Sequence, residues 1–268
     1  MGVFRFKKFE VVNERSAMKV NTDGVLLGAA MTVRPSDRNL LDIGTGTGTI
    51  ALMAAQRLSL CSCDEGPDAR RIGRSISPIL CEAEPTGIRT FCLHAIDIDE
   101  ASATEAEANF RNSPWACHLH AFNMSLDEFA RREDGIEYDL IFSNPPYFED
   151  SFNAPEERRN NARHTSTGLS YREILDFASE HLSDDGRVAL VLPAETEHAL
   201  CRHARMDGLH LFRILRIRTV PRKAPSRIIA EFSRKRIDAP EDRILTIQNE
   251  GKYTQEYLSL THEFYLFA

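Results

Sequence analysis

Leu40-Leu41-Asp42-Ile43-Gly44-Thr45-Gly46-Thr47-Gly48, continuing as Thr49-Ile50-Ala51-Leu52-Met53-Ala54-Ala55, decides the fold. A short apolar strand runs into a G-x-G-x-G turn, and an alanine-rich helix follows. Glycines let the backbone turn tightly and let a ligand approach it closely. The last glycine comes one residue too early for the dinucleotide fingerprint G-x-G-x-x-G, and the Lys of a phosphate-binding loop is missing. On its own the turn is either a plain strand–helix junction or a ligand loop.

Two downstream segments separate these readings. Cys92-Leu93-His94-Ala95-Ile96-Asp97-Ile98-Asp99 is a second apolar strand ending in carboxylates. An acid at the end of the second parallel strand is placed to bind ribose hydroxyls. Asp97 suits that role, and Asp99 suits capping of a helix at 101–110. Further on, Tyr138-Asp139-Leu140-Ile141-Phe142-Ser143 reads as a buried strand running into Asn144-Pro145-Pro146-Tyr147-Phe148. Two consecutive prolines fix φ and hold a rigid extended turn. A side-chain amide therefore stands at a strand's carboxyl end beside an aromatic ring. The Asn144 oxygen and the Pro145 carbonyl can each accept one N–H, and Tyr147 can stack on a ring face. That set suits a planar substrate with an exocyclic NH2.

From Leu40 onward strands and helices alternate: 40–43, 49–58, 91–98, 101–110, 118–122, 138–142, 171–181 and 187–192. Alternation predicts an α/β fold with a mainly parallel sheet and helices on both faces. Residues 213–220 and 227–233 read as a final antiparallel pair. Residues 4–12 alternate like a short strand, and Asp23-Gly24 reads as a turn before the apolar segment 25–30. The stretch 59–90 breaks the rhythm with Gly66-Pro67, Gly73, Pro78, Pro85 and Gly87, and reads as a surface insertion. Its Cys61, Cys63 and Cys81 do not have zinc-site spacing, so no metal is expected.

The chain has 268 residues, enough for one large α/β domain, and carries a net charge of −7. No apolar run approaches a membrane span, and the basic, aromatic start lacks a signal-peptide core. A cytoplasmic protein with its six cysteines reduced is expected. The charge is uneven. Between residues 213 and 236, Arg213, Arg216, Arg218, Arg222, Lys223, Arg227, Arg234, Lys235 and Arg236 face the single acid Glu231, nine minus one or +8, leaving −15 elsewhere. A basic face on an acidic body can dock a phosphate backbone; its bland reading is a solvated hairpin.

The glycine turn, the acidic strand end and Asn-Pro-Pro-Tyr, in that order, resemble class I S-adenosylmethionine-dependent methyltransferases of the amino-methylating branch. Phe4-Arg5-Phe6-Lys7-Lys8-Phe9 and Ala17-Met18-Lys19-Val20-Asn21-Thr22-Asp23-Gly24-Val25-Leu26-Leu27-Gly28-Ala29 narrow the resemblance. So do Ala162-Arg163-His164-Thr165, Leu169-Ser170-Tyr171 and the ending from Tyr253 through Tyr265. The chain is similar to the tRNA1(Val) adenine-37 N6-methyltransferase family over nearly its whole length, except roughly 59–90. The resemblance implies a single Rossmann-like domain over 1–268 with a seven-stranded sheet. Residues 1–35 would touch the cofactor, and 205–268 would form a hairpin and an RNA-facing region.

It further implies S-adenosyl-L-methionine as cofactor, held by Lys19, Thr22, Asp23, Gly24, Asp42, Gly44, Gly46, Gly48, Asp97, Asn123 and Asn144. Asn144, Pro145, Pro146 and Tyr147 would carry the chemistry. Tyr147, Phe148, Arg163, His164, Arg218, Arg222, Lys223 and Arg227 would face tRNA, with Arg158 and Arg159 extending the surface, and the protein would act as a monomer. Phe122-Asn123-Met124 departs from the family pattern, where an Asp commonly meets the cofactor's adenine; Asn123 can accept there and its NH2 can donate. Competing readings are methylation of a glutamine amide, of a guanine or of another RNA adenine, and a non-catalytic RNA-binding factor. About forty residues precede Gly44, too few for the helical domain of the glutamine enzymes.

Overall fold

The computed structural model describes residues 2–16, 18–61, 91–132, 135–146 and 169–267. The expected insertion loop beyond Cys61, with Cys63 and Cys81, lies outside the described residues. So do Tyr147, Phe148, Arg158, Arg159, Arg163 and His164.

The chain starts with two short antiparallel strands, β1 (Val3–Arg5) and β2 (Glu10–Val12), where a single strand over 4–12 was expected. Phe6 and Phe9 stack on each other in the turn between them. Helix α1 (Thr22–Ala30) replaces the turn read at Asp23-Gly24. Its start is fixed by Asn21, whose side chain accepts from the Gly24 N–H at 2.8 Å.

The doubly wound part then follows the expected rhythm, with α4 as an additional helix: β3 (Asn39–Ile43), α2 (Thr49–Cys61), β4 (Cys92–Asp97), α3 (Glu100–Arg111), β5 (Leu119–Asn123), α4 (Leu126–Arg132), β6 (Tyr138–Ser143), α5 (Tyr171–His181) and β7 (Leu182–Pro193). Helix α2 runs past the expected end at Leu58. Asp99 caps α3 as expected, accepting from Ser102 N–H at 2.9 Å. A capping box of Ser170 and Glu173 starts α5. Helix α6 (Glu197–Met206), β8 (His210–Arg218), β9 (Arg227–Ser233), β10 (Glu241–Thr246), the hairpin strands β11 (Gln248–Asn249) and β12 (Lys252–Tyr253), and α7 (Gln255–Thr261) complete the chain.

The central sheet has eight strands in the order β10-β8-β9-β7-β6-β3-β4-β5. Strand β9 alone runs antiparallel to its neighbours β7 and β8. The expected terminal pair is present, and β10 adds an eighth, parallel edge strand beside β8. That edge reads poorly as a strand because Glu241-Asp242-Arg243-Ile244 is exposed along its whole length.

Alternate residues of each central strand feed opposite cores. Leu40, Leu140 and Phe142 pack with α1, α2, α3 and α7. Leu41, Ile141 and Val188 pack with α4, α5 and α6. Both faces are therefore covered, as parallel strands require. From β3 the chain leads to β4 and β5 on one side, while β6 and β7 lie on the other. The β3–β6 boundary is the switch point, where the carboxyl ends of strands open a crevice.

Candidate functional site

The crevice is lined by the carboxyl ends of β3, β4, β5 and β6. The glycine turn leaves β3 with positive φ at Gly44 (72°), Gly46 (57°) and Gly48 (79°). The first two hold the turn open. A Cβ on Gly48 would lie 2.5 Å from the Phe110 ring of α3, so this glycine serves packing rather than ligand approach. Gly44 and Thr45 donate backbone N–H groups to the Ile96 carbonyl at 2.9 and 3.0 Å, which ties the turn to β4.

Asp97 reinforces that tie. Its Oδ2 accepts the Gly46 N–H at 2.8 Å and its Oδ1 accepts the Asp99 N–H at 2.9 Å. The ribose-binding carboxylate expected from the sequence therefore also holds the glycine turn, with a second lone pair left on each oxygen. Burial raises its pKa, opposed by those two N–H groups.

Asp42 is fully buried under the turn. Its Oδ2 accepts from the Thr45 hydroxyl at 2.7 Å, and its Oδ1 has no hydrogen-bond partner among the described residues. Burial pushes its pKa up to about 7; the Thr45 hydroxyl opposes this and repulsion from Asp97 adds to it. An unfolded Asp titrates near 3.8, so the folded chain binds the proton more tightly between the two values. Stability from this group is full below pH 3.8 and is lost as pH rises toward 7. Asp42→Asn is expected to be more stable than the parent at pH 8 by on the order of 2–4 kcal/mol, with no gain at pH 4. Urea unfolding at the two pH values measures this.

Asn123 closes the β5 side. Both N–H bonds of its amide point at backbone carbonyls, those of Asp97 (3.1 Å) and Ile98 (3.0 Å). Its oxygen is left as the acceptor, while the second expected role, donation by the NH2, is already taken. Beside it Ile98 exposes 77% of its surface, an apolar plate next to an acceptor that sequence reading passed over. Its position between two carboxylates at a strand end was the available signal.

On the β6 side, the Ser143 hydroxyl donates to the Ile43 carbonyl at 2.6 Å, fastening β6 to β3. Asn144 follows immediately, 6% exposed, with Pro145 buried behind it. The Asn144 NH2 points at the Met18 sulfur, 3.7 Å away. The Asn-Pro-Pro turn and the glycine turn thus face one crevice.

The residues expected ahead of the glycine turn take more structural parts. The Lys19 ammonium donates to the Asn13 and Glu14 carbonyls at 3.2 and 2.8 Å. Thr22 and Gly24 open α1, and Asp23 pairs with Arg227 at 3.0 Å.

The expected nine-cation face is largely consumed within the fold. Arg213 pairs with Glu231, Arg216 with Glu197 and Asp242, Arg227 with Asp23 and Lys235 with Asp185. Arg218 bonds the Thr246 hydroxyl and the Pro221 carbonyl. Arg222 and Lys223 remain exposed in the loop after β8, with no ion pair among the described residues.

The residues present fit a nucleoside cofactor bearing an ammonium group. Asp42 offers a buried oxygen with no partner among the described residues, Asp97 keeps spare lone pairs at the end of β4, and Asn123 offers an acceptor beside Ile98. Residues 29–214 match a family model described as an RMKL-like methyltransferase domain. A solved structure of a predicted O-methyltransferase from Agrobacterium tumefaciens shares the fold, with a TM-score of 0.56 over 90% of this chain and 96% of that one at 13% identity. The chain carries a methyltransferase domain.

Two relatives narrow this. A protein of Parabacteroides distasonis is 38% identical over 264 residues (98% of this chain, 97% of that one), and one of Bacteroides fragilis is 36% identical over 263 residues (98% and 97%). Each is named tRNA1(Val) (adenine(37)-N6)-methyltransferase, and this chain belongs to that family.

Proposed function

We propose that this protein transfers the methyl group of S-adenosylmethionine to N6 of adenine 37 in tRNA1(Val). The observation that carries the reading is the buried Asn144 amide at the carboxyl end of β6, fastened through Ser143 to the strand that bears the glycine turn. Family membership supplies the substrate. In this reading Gly44 and Gly46 let the cofactor lie against the turn, Asp42 beneath the turn faces its amino-acid portion through water, Asp97 takes its ribose hydroxyls and Asn123 its adenine NH2. The cofactor, when bound, supplies an activated electrophilic methyl.

The chain's own part is alignment. The adenine amino nitrogen is a poor nucleophile because its lone pair is delocalised into the ring. The Asn144 oxygen and the Pro145 carbonyl accept its two N–H bonds, favour a pyramidal nitrogen and stabilise positive charge developing there. No general base is needed, since the proton can leave after transfer. Tyr147 and Phe148 would stack on the base and Arg163 and His164 would flank it. Arg222 and Lys223, with Arg218 behind them, are the phosphate contacts this reading favours. No helix among the described residues is long and apolar enough to cross a membrane.

Methyl transfer from labelled S-adenosylmethionine to unmodified tRNA1(Val), read by nucleoside mass spectrometry, tests the reading. N6-methyladenosine at position 37 is the expected product. Cofactor binding with no transfer to this tRNA would overturn the substrate assignment.

A further inference from the structure

Helix α3 carries three buried polar residues on one face, Ser102, Glu105 and Asn109, at i, i+3 and i+7. Such a face is normally apolar, and here it grips backbone. Glu105 accepts three consecutive N–H groups, from Glu14 (2.7 Å), Arg15 (2.8 Å) and Ser16 (2.9 Å). Asn109 accepts from Val12 N–H at 2.8 Å and donates to the carbonyls of Val12 (3.0 Å) and Thr47 (2.9 Å). The Ser102 and Ser16 hydroxyls lie 3.0 Å apart, and the Ser16 hydroxyl donates to the Met18 carbonyl at 3.1 Å. Residues 12–16 are thereby strapped down beside the glycine turn, with Met18 next to them. A Cβ on Gly46 would lie 3.6 Å from the Ser16 hydroxyl and 3.7 Å from the Met18 carbonyl.

The end of this strap reaches the amide. The Met18 sulfur accepts the Asn144 Nδ2–H at 3.7 Å, and Met18 stays 38% exposed. We propose that Met18, whose carbonyl accepts from the Ser16 hydroxyl beside the Glu105 clamp, is a positioning residue: it receives the NH2 of Asn144 and so turns the amide oxygen toward the substrate amino group. The inference rests on the methyl-transfer reading above. An amide that rotated by half a turn would present N–H to N–H and repel the substrate. A thioether accepts hydrogen bonds but cannot donate one, so it favours a single orientation of the amide. Its bond is weak, and the expected effect is correspondingly modest.

Met18→Leu keeps an apolar side chain and removes the acceptor; Met18→Gln keeps the length and restores an acceptor oxygen. Met18→Leu is expected to lower kcat roughly 3–10-fold, with KM for tRNA and cofactor within about twofold. Met18→Gln is expected to recover part of the loss, because its carbonyl restores an acceptor for the Asn144 NH2 while its own NH2 can bind the Asn144 oxygen in the opposite orientation. In an Asn144→Ala background, Met18→Leu is expected to add nothing, because the group it positions is gone. Loss of rate that adds fully to that of Asn144→Ala, or no loss at all, would overturn the inference. The side-chain NH2 resonances of Asn144, assigned through Asn144→Ala, give a readout that needs no substrate. They are expected to move in Met18→Leu and to return toward the parent position in Met18→Gln. An unmoved signal overturns the contact. A moved signal with no activity on tRNA leaves the contact standing and places the failure in the substrate assignment.

Discussion

Asn144→Ala is expected to lose on the order of 10²–10³ in kcat, the size of effect seen when one prepositioned polar group is removed from a transition state. The loss is expected to fall on the chemical step. The junction between β6 and β3 is made by the Ser143 hydroxyl and the Ile43 carbonyl and survives the substitution. Cofactor affinity should change far less than turnover, since the glycine turn, Asp42 and Asp97 stand on β3 and β4. Single-turnover rates with saturating tRNA and cofactor separate the two. A variant that still turns over at near-normal speed would sink the alignment mechanism.

The second large effect concerns stability. Arg187 is fully buried in β7. Its guanidinium donates to both oxygens of Asp37, itself 2% exposed, and to the carbonyls of Thr32 and Asp139. It thus links the loop after α1 to the start of β6, at the amino-terminal ends of the central strands, opposite the crevice. Arg187→Met removes every donor at once and strands the Asp37 carboxylate. A loss of about 3–5 kcal/mol is expected, which for a chain of this size lowers Tm by roughly 10 °C. A paired Arg187→Met, Asp37→Leu variant should regain part of it, because the stranded charge is removed as well. Thermal denaturation of the three variants measures this. Unaltered Tm in Arg187→Met would show that the pair contributes nothing net.

Much of the crevice was legible in the sequence because its marks are local. A strand that runs into Gly44-x-Gly46-x-Gly48, a carboxylate ending the next strand and Asn144 before two prolines are each read within a few residues. What escaped depends on distant partners. The cations between 213 and 236 look free in the sequence, but their acids are Glu197, Asp242, Asp23 and Asp185, brought in by the sheet. The helix at Thr22–Ala30 was read as a turn because Gly24 weakens local helix propensity; the cap from Asn21 and the burial of residues 24–30 override it. Ser102, Glu105 and Asn109 look like the solvated side of α3, and only the fold shows the strap of backbone laid across them.

Asp42 also has a consequence for what moves when the site fills. With its pKa pushed up to about 7, Asp42 is partly protonated at neutral pH. In the proposed reading, a cationic group brought into the crevice above buried Asp42 favours its carboxylate form, so part of that proton population is released as the cofactor enters. Cofactor uptake would then carry a fractional proton release that offsets part of the incoming charge. The heat of binding should accordingly depend on which buffer receives the proton.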